Sequence, residues 1–101
     1  MLSTPEPHES VHQWRHRPWM LHTCDPGHPR LANFGDHDAE FVRTSATAPD
    51  GEEQIQLWGT VEPGDEFNLC FCDEPEDRAI QVILAWFDQG SEVERSWTFQ
   101  V

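Results

Sequence analysis

From Leu31 to Val101 apolar residues return at every second position in short runs, and clusters of glycine, proline and acidic residues cut one run from the next. A period of two puts an apolar set on one face of an extended strand, because successive strand side chains point to opposite sides, whereas a helix needs a period of 3.6. Ile55, Leu57, Gly59 and Val61 follow this rule and predict one buried face, and Phe67, Leu69 and Phe71 restart it. Ile80, Val82, Leu84 and Trp86 make the next inward face, and Val93, Arg95, Trp97, Phe99 and Val101 make the last. Ala48-Pro49-Asp50-Gly51, Pro63-Gly64-Asp65 and Gln89-Gly90-Ser91 separate these runs as turns, where proline presets φ and glycine accepts the left-handed conformation. Gly59 and Gly64 read as turn or bulge glycines. No segment carries a convincing amphipathic helix.

Earlier in the chain, Arg30 to Phe34 and Ala39 to Ala46 predict two more strands, broken by Gly35-Asp36-His37-Asp38. Another runs from about Trp19 to Cys24 and ends at Asp25-Pro26-Gly27, since Pro18 forbids one continuous helix over Val11 to Cys24. Six or seven short strands with regular turns predict an all-β antiparallel β-sandwich over residues 19–101. Periodicity alone leaves a small barrel as the alternative. Residues 1–18 read as a flexible, partly disordered N-terminal arm, with Pro5, Pro7 and few large apolar residues in its first part.

Leu31-x-Asn33-x-Gly35 followed by Ala39 and Val42, then Val61-Glu62-Pro63-Gly64-Asp65-Glu66-Phe67, then an apolar strand ending at Trp86, resembles bacterial immunoglobulin-like and adhesion-type β-sandwich modules. The resemblance covers about residues 19–101 and implies an immunoglobulin-like fold without implying an activity. The inter-sheet cysteine pair of antibody domains is not matched, since Cys70 and Cys72 are neighbours on one strand face.

Charge restricts the partners. The 101 residues carry 19 Asp and Glu against six basic residues, all Arg, for a formal charge of -13. Residues 1–48 hold six acids and four Arg, whereas residues 49–101 hold thirteen acids and two Arg, so the C-terminal half carries the field. Such a chain repels phosphate backbones and anionic lipid, which excludes nucleic acid and a membrane surface as direct ligands. Five Trp and six Phe nevertheless supply enough apolar area for a core. No run approaches a membrane span, and Met1 to Val11 lacks the pattern of a signal peptide. Three cysteines, an odd count that allows one disulfide at most, fit a reducing compartment, so the expected location is the cytoplasm.

Cys24, His28, Cys70 and Cys72 form the sharpest chemical candidate. Cys70 and Cys72 would project from one strand face and Cys24 and His28 flank a turn, together offering three thiolates and one imidazole to a tetrahedral metal. Cys-x-Cys lacks the backbone nest of a Cys-x-x-Cys knuckle, however, and buried cysteines commonly serve as small apolar residues, so no cofactor is expected. His8, His12 and His16 have the spacing of one helix face, but the bracketing prolines favour exposed histidines on the arm. Serines sit in no strained elbow and no glycine-rich loop cradles phosphate, so the chain reads as non-enzymatic.

With Ile80, Val82, Leu84 and Trp86 inward, Ile83, Ala85 and Phe87 form an apolar strip on the opposite face. The arm, through Val11, Trp14 or Trp19, could cover it; the alternative is an interface anchored by Trp19, Ile83 and Phe87. Asp73, Glu74, Glu76 and Asp77, with the Asp50–Glu53 loop, would present charge to a basic protein. The expectation is a protein-binding domain with a basic partner, inhibitor-like or immunity-like, or a homodimer. A metal-binding module, or a carbohydrate-binding one with Trp58 and Trp97 as its aromatic platform, is the alternative.

Overall fold

The computed structural model describes residues 13–23, 27–71 and 80–101. They form eight strands: β1 Gln13–His16, β2 Trp19–His22, β3 Arg30–Asn33, β4 Ala39–Thr47, β5 Glu53–Val61, β6 Glu66–Asn68, β7 Gln81–Asp88 and β8 Glu94–Gln100. Two antiparallel four-stranded sheets result, a short one in the order β1-β2-β3-β6 and a long one in the order β5-β4-β7-β8. The all-β sandwich expected from the alternation is therefore the fold. It has one strand more than expected because Gln13–His16, placed in the arm by the sequence reading, pairs with β2 from Gln13↔His22 to His16↔Trp19. The Phe67 to Phe71 run is strand only over Glu66–Asn68, and Leu69 and Phe71 continue it as buried loop residues.

Burial follows the alternation where the strands are regular. Trp19, Leu21 and Leu31 from the short sheet meet Val42, Ala46, Val82, Leu84 and Trp86 from the long one in a single core. Trp19 stands edge-on to Trp86 and to Phe67, with ring centroids 5.8 and 5.9 Å apart. Each such aromatic pair adds about 0.5–1.5 kcal/mol to the burial of its rings. Trp19 is thus wholly enclosed. The expectation that it anchors an interface is wrong, because the pairing Trp19↔Asn33 places it on the inward side of β2.

Among the described residues two polar side chains are buried, Thr44 on β4 and Asn33, which is fully enclosed at the end of β3. Its Nδ2 donates to the carbonyls of Val61, at 2.9 Å, and His37, at 3.0 Å, while Gly35 N–H donates to its Oδ1 at 2.9 Å. One side chain thereby ties the 35–37 turn of one sheet to the end of β5 in the other. Its own carbonyl accepts from Gly64 N–H and its N–H donates to Asp65, fixing the turn before β6. Gly35 is needed beside it, since a Cβ there would lie 2.6 Å from Pro18 Cβ. The Leu31-x-Asn33-x-Gly35 motif is this staple.

The long sheet departs from simple alternation at two bulges. Between Ala39↔Val61 and Val42↔Gly59 the β4 strand carries one residue more than β5, and between Val42↔Gly59 and Arg43↔Leu57 the excess lies on β5. Each extra residue reverses which side the following side chains face. Val61 points inward, but Ile55 and Leu57 point outward. The single buried face expected for Ile55, Leu57, Gly59 and Val61 is therefore not formed. Gly59, at φ 76°, supplies the conformation for the β5 bulge. Phe41, at φ 53°, does so on β4 and is the sole non-glycine with positive φ among the described residues.

Candidate interaction surface

The two bulges determine what the outer face of the long sheet presents. Cross-strand partners share a face, so the rows Leu57–Arg43–Ala85–Ser96 and Ile55–Ser45–Ile83–Thr98 both look outward. The bulge at Phe41 turns its ring to the same side, edge-on to Phe87 at 6.0 Å. Leu57 is 79% exposed, Phe41 71%, Ile55 63% and Ile83 41%. These are large apolar side chains left open side by side, whereas the outer face of the short sheet carries Arg30 and Glu66, 3.4 Å apart as an ion pair, with Met20, His22, Ala32 and Asn68, and a single exposed aromatic among the described residues, Phe34, under the Arg15 guanidinium.

Charge on the apolar face is asymmetric. Arg43, its only cation among the described residues, is engaged by Glu94. Glu53 accepts a hydrogen bond from the Ser45 hydroxyl, and Glu40, opposite Phe87, is in no ion pair among the described residues. The result is an apolar centre bordered by carboxylates. Contiguous apolar patches rimmed by polar groups mark interaction sites more often than scattered apolar residues do.

Ile83 and Phe87, singled out from the sequence, lie on this face as expected. Phe41, Ile55 and Leu57 were missed because a period of two assigns them inward or leaves them unassigned. Gly59 inside an otherwise regular run was the available signal, since glycine in a strand interior marks a bulge. Asp73, Glu74, Glu76 and Asp77 fall outside the described residues, as do Cys24 and Cys72.

The metal candidate is corrected at Cys70, which is held in a disulfide. A disulfide sulfur is not a thiolate, so the three-thiolate set cannot form in this state. His28 Nε2 lies 3.7 Å from Cys70 Sγ. Among the described residues no group of three or more His, Cys, Asp and Glu is arranged around a possible ion. His16 sits in strand β1, stacked on Trp97 at 5.2 Å, so the helical spacing with His8 and His12 does not extend to it; His8 and His12 lie outside the described residues.

Trp58 and Trp97 do not form a joint platform. They occupy the opposite edge strands of the long sheet, three strand spacings or roughly 14 Å apart. Trp58 stacks on Phe67 at 4.3 Å and donates its indole N–H to the buried Thr44 hydroxyl, while Trp97 packs on Phe99 and His16. A shallow cleft of about 650 Å³ borders Trp97, Phe99, Leu21 and Gln81.

A second cleft, of about 330 Å³, opens beside Arg17, Phe34, His37, Asp88 and Arg95. Arg95 donates to Asp88 at 2.9 Å and Trp86 donates its indole N–H at 3.1 Å. The Arg95 hydrogen bond, outweighing the cost of partial burial and helped by Trp86, holds Asp88 below the usual carboxylate range. Asp88 is therefore an ionised structural anchor for β8 and not a proton donor.

Fold and face together define a two-sheet β-sandwich with one mainly polar outer surface and one with an apolar centre. Comparison with protein-family models, with curated proteins and with solved structures found no match to this chain.

Proposed function

We propose that the chain is a non-enzymatic, immunoglobulin-like binding module whose partner is a protein docking on the outer face of the long sheet. The observation that carries this is the contiguous exposure of Phe41, Ile55, Leu57 and Ile83 on one face of a sandwich whose other outer face is mainly polar, with Phe34 its one exposed large apolar side chain among the described residues. Strand order supports the immunoglobulin-like reading: β3 pairs with β6 in one sheet and β4 with β7 in the other, as strands B and E and strands C and F do in that fold.

Charge complementarity selects the partner. Glu40 and Glu53 at the border and a chain charge of -13 favour a surface with an apolar centre and a basic rim, steered by long-range attraction. An inhibitor or immunity protein masking a basic enzyme is one concrete form. The disulfide at Cys70 favours an oxidising location over the reducing cytoplasm suggested by the odd cysteine count.

The test compares the immobilised wild type with a Leu57→Glu/Phe87→Glu variant, both shown to be folded by circular dichroism, for the proteins each retains at about 50 and 500 mM salt. Basic proteins retained by the wild type alone, and released by salt, support the proposal. Equal retention by both, or retention insensitive to salt, contradicts it.

A further inference from the structure

Strand β5 is the edge of the long sheet and, among the described residues, pairs only with β4. Its other side offers a row of backbone N–H and C=O groups along nine residues, and everything from Glu53 to Leu57 is exposed. Natural sheets usually guard such an edge with charge, proline or shortness. Here the eight residues Gln54–Val61 contain no charged side chain and no proline, in a chain that is 25% charged. The opposite edge, β8, carries Glu94 and Arg95, both engaged in ion pairs.

We propose that β5 pairs antiparallel with β5 of a second copy, joining two long sheets into one of eight strands. Self-complementarity fixes the register. With Gln56 on the two-fold axis, Ile55 faces Leu57 of the second copy and Gln54 faces Trp58, and the regular pairing ends at the Trp58-Gly59 bulge. Ile55 and Leu57 lie on the outer side and Gln54 and Gln56 on the inner side, so the apolar pair meets across the seam, Gln56 meets Gln56, and Gln54 meets the Trp58 ring. Shifting the axis to Ile55 would set Glu53 against Leu57, and shifting it to Leu57 would bring the Trp58-Gly59 bulge beside the axis. No like charges oppose one another in the chosen register, and the apolar strips of the two copies become continuous.

This pairing does not depend on the proposed partner, and salt separates the two. Two chains of charge -13 repel, so screening strengthens the dimer, whereas screening weakens binding to a basic protein. Sedimentation of the full chain from micromolar to about 1 mM, at about 50 and 500 mM salt, measures the dimer directly. The expected result is a reversible dimer whose dissociation constant falls at least several-fold at the higher salt. Gln56→Lys, which puts two like charges on the axis, should raise that constant tenfold or more, and Gln54→Lys should raise it as well. Hydrogen exchange should show alternate β5 amides gaining protection with concentration while β8 amides do not change. A monomer at all concentrations, a dimer indifferent to both lysine substitutions, or concentration-dependent protection elsewhere than β5 overturns the proposal.

Discussion

Replacing Asn33 by alanine removes the side chain that holds the ends of the two sheets together. Three hydrogen bonds are lost, to the Val61 and His37 carbonyls and from Gly35 N–H. A buried group left without its partner costs about 1–3 kcal/mol. The Val61 contact is fully buried and the other two are partly so, which puts Val61 inside that range and the others at or below its lower end. The expected loss is about 3 kcal/mol, against a usual total of roughly 5–15 kcal/mol for a domain. In a chain of this size that corresponds to a fall in melting temperature of roughly 12–24 °C. Urea unfolding should show a lower midpoint at unchanged slope, because the surface exposed on unfolding is the same. Asn33→Asp should be worse at neutral pH, since two donors become a buried negative oxygen facing carbonyls, and should recover as acid protonates it. Asn68→Ala, on the exposed outer face of the short sheet, is the control and should change stability by less than about 0.5 kcal/mol. An Asn33→Ala loss as small as the control's would refute the staple.

Three further outcomes follow from the structure. Phe41→Asn should stabilise the fold by up to about 1 kcal/mol in chemical denaturation, because asparagine tolerates the left-handed conformation and the displaced ring is mostly exposed; it should also weaken partner binding. In denaturant without reductant, a thiol reagent should find one free cysteine per chain, and three only after reduction; three at the outset would remove the Cys70 disulfide from the account. The depressed Asp88 contributes stability that is present above the unfolded carboxylate range and is lost as pH falls through its lower folded value. Asp88→Asn should therefore flatten the acid limb of the stability curve while costing under about 1 kcal/mol at pH 7, the side chain being 37% exposed; a steeper limb would contradict the assignment.

Most of the architecture was legible because regular strands obey a period of two. Val82, Leu84 and Trp86 are buried as read, and Ile83 and Phe87 look outward as read. The reading failed where the backbone carries an extra residue. Phe41 and the Trp58-Gly59 step change which side the strand presents, and nothing in the polarity of Ile55 or Leu57 distinguishes an inward from an outward apolar side chain. Trp19 was misread for the converse reason, since an aromatic after a proline at the start of a domain is equally compatible with a core and with a surface. β1 went unread because four residues are too few to establish a period, and its strand conformation depends on the partner β2 provides. The Asn33 staple was visible only as a motif, since its hydrogen-bond partners at Val61 and Asp65 lie about thirty residues along the chain.

The central claim is that the outer face of the long sheet is where a basic protein docks. Photo-crosslinking tests it with a benzophenone amino acid placed at Phe87 on that face and, separately, at Met20 on the outer face of the short sheet, in cell extract at low and high salt. The account predicts a discrete adduct from position 87, identified by mass spectrometry as a basic protein, diminished at high salt and absent from position 20. The same adducts from both positions, or no adduct from position 87, would contradict it.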